Sequence, residues 1–410
     1  MRPRGAGAIN RQPSELGWAT SDVLSQASTS VPGVGGAPPG GRDGAPASNV
    51  GRPVMAGVGP KERVLSTRTT PYELWAALRI LKSPDVGLSR LRALHGSAID
   101  NAAFRRISAY LTQAEAYYLS ADAMSPESRP LVAYYFVLNL TKALLTCLQP
   151  SLTSSGRVLH GLSDAYERKQ RYWFNQEQAK VSGSRAGSTS AFRELALRTG
   201  GRFCYPPGDV LAIHKLAPYL SETADLFEEA TAVPPKLVPI ERIEVWTGGG
   251  RTWLRTEVDR AELARRGLGP ASLPSRARHF GSIFKHVNTP EPTVSYESKE
   301  AWPYGGKQIL LRFPELSNAF ERSLIHLNRG TTGSRHLAII SERERLLSQE
   351  AVCFLVMHHL SNMVRYRPES VEKLGTQRWF FLFTLWVPRA MENFLLAVTS
   401  RILKEETRIG

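Results

Sequence analysis

Two long stretches of the chain repeat apolar residues with the period of an α-helix. The second, "LVAYYFVLNLTKALLTCL", runs from Leu131 to Leu148, and Ser125 followed by Pro126 is typical of a helix start just before it. Because only a short connection separates the two stretches, we predict a pair of antiparallel helices, or helix hairpin. The first stretch is "IDNAAFRRISAYLTQAEAYYLSADAM", and its apolar positions are Phe104, Ile107, Leu111 and Tyr118.

In the middle of the chain the pattern changes to an alternation with period two. "KLVPIERIEVW" and "TWLRTEVD" flank the glycine-rich "TGGGR", which is typical of a β-hairpin. Helical spacing then returns, and Pro388 should kink or split the last helix. We therefore predict a mainly α-helical, α+β fold, in which a helical bundle carries a small inserted antiparallel β-sheet. Further strands are predicted in "FGSIFKHV", "PTVSYES" and "KQILLRF".

These changes of pattern divide the chain into four predicted segments. Residues 1–65 are rich in Gly, Pro, Ala and Ser, and they bury too little apolar surface to offset the entropy of ordering, so we predict a disordered tail. Residues 66–235 are predicted to form an N-terminal helical region. Residues 236–315 are predicted to form the β-rich insertion, and residues 316–410 a C-terminal helical region that packs on the first.

Polar residues on two of the predicted helices fall on narrow strips. At about 100° per residue, the polar residues of Leu131–Leu148 other than Thr141 fall, together with Ser128, within an arc of roughly 60°. The late helix "EAVCFLVMHHLSNMVRY" behaves similarly. The first strip contains Ser128, Tyr135, Asn139, Lys142 and Thr146, and the second contains Glu350, His358, Ser361, Asn362 and Arg365.

Two interpretations of these strips are open, and the sequence favours the first. Each strip can meet solvent, with Lys142 reaching along its neighbours to water. Alternatively the strips face each other across a polar pocket, where Asn139 and Lys142 would need partners such as Glu350, because an unpaired buried ammonium is costly. The pocket hypothesis brings together Tyr135, Asn139, Lys142, His160, His358, Asn362 and Arg365.

Among these residues, the purely structural interpretation is weakest for His160. It precedes a glycine at a predicted junction between a helix and a loop, where an imidazole can simply cap helix carbonyls. Its alternative role is in the pocket, where an imidazole can gain or lose a proton near neutral pH.

Composition adds a strong positive charge to this picture. The chain has 52 Lys and Arg against 37 Asp and Glu, which gives a formal net charge of +15. Such a charge favours encounters with polyanions through steering and counterion release, although an arginine-heavy composition is explained equally well by a GC-rich genome.

One basic segment, "YERKQRYW" from Tyr166 to Trp173, interleaves positive charges with aromatic rings. Its Arg and Lys side chains could neutralise phosphates while an aromatic ring stacks on a base. The alternative is a solvated helix face with Trp173 docked inward. The residues predicted to bind a polyanion are Arg168, Lys169, Arg171, Tyr172 and Trp173.

The motifs of several enzyme classes are absent from the sequence. His358 and His359 are adjacent, so on a helix they point about 100° apart and cannot chelate one ion together. No H-E-x-x-H, no G-x-x-x-x-G-K-[ST] and no G-x-S-x-G motif occurs. We therefore predict no metal and no cofactor.

The sequence also bears on the compartment. The three cysteines, Cys147, Cys204 and Cys353, have no metal-ligand spacing and fit a reducing environment. No uninterrupted apolar run approaches about 18 residues, and the N-terminus lacks the apolar region of a signal peptide. We predict a cytoplasmic protein with no membrane partner.

Several separated motifs resemble a known family, the YaaC-like bacterial proteins. They are "YYFVLNLTKALLTCLQP", then "VLHGLSDAYERKQRY", with "LWAALRILKSPD" near the start and "HHLSNMVRYRPESV" near the end. The resemblance covers about residues 70 to 400. The family is essentially uncharacterised, so the resemblance implies an architecture rather than an activity.

The helix hairpin also resembles HEPN domains, which carry similar patterns of paired tyrosines followed by "NLTKA". That resemblance implies a link to defence or stress and, in the nucleases of the group, an Arg-x(4–6)-His motif on a late helix. The late helix of this chain has no histidine after Arg365, which disfavours a ribonuclease of that type.

From these observations we expect a non-catalytic binding module for RNA or another polyanion. An RNA-cleaving enzyme that uses Lys142, His160, His358 or Arg365 is the alternative. A third possibility is a structural protein whose helices form a homodimer.

Overall fold

The computed structural model describes most of the chain between Thr70 and Lys404 and one short strand before it. The basic segment 166–177, which includes the five residues predicted to bind a polyanion, lies outside the described residues, as does the predicted strand "KQILLRF". The described residues are 52–54, 70–165, 178–183, 187–199, 205–220, 223–248, 251–287, 292–303, 324–326, 335–338, 347–374 and 380–404.

Helices make up most of the described structure, and several begin at a residue that caps them. Thr70 and Glu73 form a capping box at the start of α1, and the Asp100 side chain accepts a hydrogen bond from Ala103 N–H at the start of α3. The longer helices are α1 (Pro71–Lys82), α2 (Gly87–His95), α3 (Asn101–Ala123), α4 (Arg129–Leu148), α12 (Gln349–Tyr366) and α14 (Val387–Leu403). The shorter helices are α5 (Ser151–Ser154), α6 (Ala191–Arg198), α7 (Ile213–Leu216), α8 (Ala224–Thr231), α9 (Arg260–Arg265), α10 (Leu273–Arg276), α11 (Arg278–Ile283) and α13 (Pro368–Leu374).

Helix α4 lies at the centre of the larger hydrophobic core. It pairs with α3, as the sequence predicts for a helix hairpin, and α12 and α14 pack on its other sides. The predicted N-cap at Ser125 is wrong by three residues: Ser125 O accepts hydrogen bonds from Ser128 N–H and Arg129 N–H in a turn, the N-cap is Ser128, and the helix begins at Arg129.

The apolar character of α4 follows from this central position. By length and composition alone α4 could cross a membrane. This differs from the sequence-based expectation, in which no apolar run is long enough to do so. However, 67% of its most apolar 18-residue window is buried inside the protein. It is therefore packed as the core helix of a globular fold.

The β-structure is divided among several small sheets. In the largest, of six strands, the order is β1-β8-β9-β11-β10, and β12 also pairs with β9; all of these pairings are antiparallel. Its strands are β1 (Arg52–Val54), β8 (Arg242–Gly248), β9 (Arg251–Asp259), β10 (Phe284–Val287), β11 (Thr293–Ser298) and β12 (Trp302–Pro303).

The β8–β9 hairpin confirms the strand pattern read around "TGGGR". Every second residue of β9, from Thr252 to Val258, is buried, and this face covers a second hydrophobic core that contains Phe280 and Phe284. β1 comes from the segment predicted to be a disordered tail, and its Val54 pairs with Val245. The mainly α, α+β class predicted from the sequence is confirmed.

The remaining strands form smaller sheets. β2 pairs with β5 in parallel, β3 and β6 flank β4, and β14 lies between β13 and β7. β7 lies within the predicted strand "KLVPIERIEVW", whereas the other seven lie where helices and loops are predicted, because two to four residues are too few to show a period. They are β2 (Val158–Leu159), β3 (Leu162–Asp164), β4 (Gln178–Val181), β5 (Thr189–Ser190), β6 (Val210–Ala212), β7 (Leu237–Ile240), β13 (Leu324–His326) and β14 (Arg335–Ala338).

The last helix is interrupted where the proline predicts. A π-helical turn over Leu382–Trp386 precedes α14, and Pro388 occupies the first turn of that helix. Proline cannot donate a backbone hydrogen bond, so the wider turn before it accommodates the missing bond.

Candidate functional site

The two polar strips meet at the Tyr135 side chain. Arg365, near the end of α12, donates a hydrogen bond from Nη2 to Tyr135 Oη on α4 at 2.5 Å. Its guanidinium carbon also lies 5.5 Å from the centre of the Tyr135 ring. Arg365 is exposed, so the two strips touch each other at the protein surface while still meeting solvent.

Asn139 and Lys142, one and two turns further along α4, differ in their hydrogen-bond and charge partners. Asn139 is buried, and its side-chain amide donates to the Tyr135 carbonyl of its own helix at 2.8 Å. Lys142 is half-buried, with its ammonium 5.6 Å from the centre of the Tyr110 ring, and it forms no ion pair with any described carboxylate. Burial lowers the pKa of Lys142.

The partner suggested for these residues lies elsewhere. Glu350 is buried, but its carboxylate accepts a hydrogen bond from Arg401 Nε on α14 at 2.6 Å. Glu350 is at the first turn of α12 and Arg365 is at its last turn, so one helix carries both, some four turns apart. The suggestion that Glu350 neutralises Lys142 is wrong.

His160 reaches the site through a turn that requires glycine. It lies between β2 and β3, and its carbonyl accepts a hydrogen bond from Phe192 N–H in the first turn of α6 at 3.1 Å. Gly161 has φ +81°, and a Cβ there would lie 1.8 Å from Ser190 Oγ. Only glycine fits this close approach, and the turn therefore fixes the backbone of His160.

The imidazole of His160 packs against that of His358. The two ring centres are 5.1 Å apart, with 35° between the ring planes. Leu162 N–H donates to His160 Nδ1 at 3.3 Å, so the neutral ring carries its proton on Nε2. As a residue His160 is exposed at the rim of the site, whereas His358 is buried behind it.

The electrostatics of the pair are dominated by lost solvent contact and by positive neighbours. Partial burial lowers the pKa of His160, and the charges of Arg365 and Lys142 lower it further. Burial lowers the pKa of His358 to about 3, with His160, His359 and Arg365 acting in the same direction. His358 is therefore neutral at physiological pH.

Two buried polar atoms, one on His358 and one on the neighbouring Tyr134, have no hydrogen-bond partner among the described residues. The Tyr134 ring meets the His358 ring edge to face, with centres 5.3 Å apart. The Tyr134 hydroxyl and His358 Nδ1 are both buried and unpartnered in this part of the chain. Burial raises the pKa of Tyr134, so its hydroxyl stays protonated and can donate.

The structure thus brings together most of the predicted pocket residues, namely Tyr135, Asn139, Lys142, His160, His358 and Arg365. Asn362 is half-buried, and no described residue hydrogen-bonds to its side chain. Thr146, at the far end of the α4 strip, instead bonds Thr153 at 2.9 Å and belongs to the packing of α5. We call the group formed by Lys142, His160, His358 and Arg365 the cationic cluster.

Sequence reasoning missed three tyrosines around this cluster: Tyr110 and Tyr117 on α3, and Tyr134 on α4. The spacing contains a signal for the first two. Tyr110 and Tyr117 are seven residues apart, as are Tyr135 and Lys142, so each pair lies on one face of its helix and the two faces can meet in an antiparallel hairpin.

This arrangement can bind an anion. Lys142 and Arg365 offer positive charge, His160 can add more when protonated, and the Tyr134 hydroxyl can donate a hydrogen bond. Across the described ranges, no group of three or more His, Cys, Asp or Glu residues could hold a metal ion.

Comparison with protein families gives a match over most of the chain. A family model with the description "YaaC-like Protein" matches residues 93–400, which include every member of the cationic cluster. No curated protein and no solved structure matches the chain. The resemblance to HEPN domains stays a prediction.

Proposed function

The chain belongs to the YaaC-like protein family, and we propose that it is a binding module for RNA or another polyanion. The observation that carries this proposal is the cationic cluster. Lys142 and Arg365 lie beside two imidazoles, and neither cation has an ion pair with a described carboxylate.

A phosphate ligand would correct the imbalance of charge in the cluster. Two opposite charges about 4 Å apart gain about 4 kcal/mol at an effective dielectric constant near 20. A half-buried ammonium such as Lys142 has lost part of its hydration, and an incoming anion restores a partner. The net charge of +15 supports the same class of ligand by attracting polyanions over a longer range.

The basic segment with Arg168, Lys169, Arg171, Tyr172 and Trp173 stays a separate prediction. It lies outside the described residues, and the proposed site does not depend on it.

Binding to a fluorescently labelled RNA, followed by anisotropy at several salt concentrations, tests the proposal. We expect affinity that falls as salt rises, and Lys142→Met should weaken binding about tenfold and reduce the salt slope by about 1. Lys299→Met is the matched control. Lys299 is exposed beside the second core, and its loss removes the same charge with little effect. No salt-dependent binding, or equal losses in both variants, would contradict the proposal.

The pair of imidazoles favours a second candidate, an RNA-cleaving enzyme. To act as a base, neutral His160 would carry its proton on Nδ1 and give up the hydrogen bond from Leu162 N–H. Its Nε2 could then accept the proton of a ribose 2′-hydroxyl while that oxygen attacks the adjacent phosphorus, and the 5′-oxygen would leave with a proton from water. Lys142 and Arg365 would stabilise the charge on the phosphoryl oxygens.

Gel analysis of RNA recovered from the binding reaction separates the two candidates. Intact RNA with wild-type protein supports the binding module. Fragments that form with wild-type protein and not with His160→Ala would favour the enzyme.

A further inference from the structure

Aromatic rings line the seam between α3 and α4 next to the cationic cluster. Tyr117 on α3 stacks on Tyr135 on α4, with ring centres 5.3 Å apart and 25° between the planes. Two helical turns away, Tyr110 lies against Lys142. Seven residues span about 10.5 Å along a helix. The Tyr117–Tyr135 pair and the Tyr110–Lys142 pair therefore lie about that distance apart along the seam.

From Tyr135 the contacts continue onto α12 through Arg365. Its guanidinium hydrogen-bonds the side chains of Tyr135 and Tyr366, and its central carbon lies 5.5 Å from the Tyr135 ring centre and 5.7 Å from that of Tyr366. Tyr366 is 66% exposed. We call this series of flat groups in contact, Tyr117, Tyr135, Arg365 and Tyr366, the ladder; it starts in the helix seam and ends at an exposed ring.

This ladder has a chemistry that a bare polyanion does not need. Phosphate and sulfate groups pair with Lys142, Arg365 and His160, and they gain little from a tyrosine ring. Nucleobases, by contrast, stack on aromatic and guanidinium planes, and a stacked base is worth about 1–3 kcal/mol. A base inside a duplex is already stacked on both faces, so only an unpaired base can use an exposed ring.

We propose that the site binds unpaired nucleotides of a single-stranded nucleic acid, with a base stacked on Tyr366 at the end of the ladder and a neighbouring phosphate at Lys142 and His160. This inference rests on the proposed function, and it names the ligand class of the same site. The charge of the cluster and the flat groups beside it complement the two parts of a nucleotide.

Four ligands in one anisotropy assay test the inference with the full chain. They are a labelled single-stranded RNA, a DNA strand and a blunt RNA duplex of the same sequence, and unlabelled inorganic polyphosphate as a competitor. We expect both single strands to bind more tightly than the duplex. A duplex that binds as tightly as the single strands would overturn the inference.

Variants of the exposed ring separate stacking from charge. Tyr366→Ala should weaken binding of single-stranded RNA roughly 5- to 100-fold, the equivalent of one lost stack. The potency of polyphosphate should stay unchanged, and Tyr366→Trp should keep the affinity. Tyr72→Ala is the matched control, because Tyr72 is also exposed, at 72%, but lies on α1 away from the ladder.

The outcomes distinguish this inference from the proposed function. If RNA and polyphosphate both bind through Lys142 while Tyr366→Ala has no effect, the inference is wrong and the polyanion module stands. If neither binds, the proposed function itself is wrong. Thermal unfolding followed by circular dichroism confirms that each variant is folded before it is assayed.

Discussion

The α3–α4 hairpin carries two groups of charged residues, and only one of them is neutralised. On α3, Glu115 accepts hydrogen bonds from Arg79 at 2.6 Å and from Lys82 at 2.7 Å. On α4, Lys142 has an aromatic ring beside it and no described carboxylate. Lys82, on α1, therefore has an ion-pair partner on the hairpin, whereas Lys142, on the hairpin itself, has none among the described residues.

The pKa of Glu115 shows what pairing does. Burial acts to raise the pKa of this carboxyl, but the hydrogen bonds and charges of Lys82 and Arg79 outweigh burial, and the pKa is lowered. At Lys142 burial alone lowers the pKa, and at His160 and His358 the neighbouring charges that act on the pKa are positive and lower it further. Charges that only stabilise a fold are usually paired, so the unpaired cluster is the better candidate for a ligand site.

The largest effect is expected where a paired charge is deeply buried. Arg401→Ala leaves the buried Glu350 carboxylate without its partner, and we expect the free energy of unfolding to fall by about 3 kcal/mol. This is the lower end of the range for buried pairs, because the Arg401 side chain is 40% exposed. Urea unfolding followed by circular dichroism measures the loss.

A double variant completes this test. Arg401→Leu with Glu350→Met removes both charges together and should recover most of the lost stability. Equal losses in the single and the double variant would show that packing, rather than the unpaired carboxylate, causes the effect.

An intermediate effect is expected from pH at His358. Its folded-state pKa of about 3 lies below the ordinary value of 6.5, so below pH 6.5 the unfolded chain takes up a proton that the folded chain does not. Stability from this residue is present above pH 6.5 and is lost as pH falls toward 3. Between pH 7.5 and pH 5 the loss is about 2 kcal/mol.

His358→Gln isolates this contribution, because glutamine does not titrate. The stability difference between wild type and variant should shift by about 2 kcal/mol in favour of the variant at pH 5, and it should be constant above pH 8. Parallel stability curves for the two proteins across this range would mean that His358 is not held neutral.

The smallest expected effects on stability have opposite signs at Lys142 on α4 and at Lys82 on α1. Lys142→Met replaces an unpaired, half-buried ammonium with an apolar side chain of similar length, and should raise the free energy of unfolding by about 1 kcal/mol while weakening RNA binding. Lys82→Met removes a partner of Glu115 and should lower it by about 1 kcal/mol. Urea unfolding of both variants checks the signs, and a loss of stability in both would contradict the contrast.

Much of the helical framework could be predicted from the sequence because helical spacing is a local property. The hairpin, the polar strip on α4 and the break near Pro388 all follow from residues within a few turns of one another. The β8–β9 hairpin follows in the same way, because its two strands are adjacent in the chain and the turn between them is rich in glycine.

The composition of the site could be predicted only in part. The strip with Tyr135, Asn139 and Lys142 is visible in the sequence, but the partner of each residue is not. The proposed partner Glu350 pairs with Arg401, and Asn139 bonds its own helix. Side-chain pairing across the fold depends on which helices pack together and at which depth, and neither is encoded in local spacing.

The sequence by itself therefore determined the long helices, the β8–β9 hairpin, the class of the fold and the strip of polar residues on α4. Tertiary structure alone decided that Arg365 meets Tyr135 and that His160 packs against His358. His160 depends on short strands paired over 31 positions, from Val158 to Thr189, and on a glycine turn against Ser190. Contacts of this kind join segments that are distant in the chain, and their geometry is set by packing rather than by the pattern of any one segment.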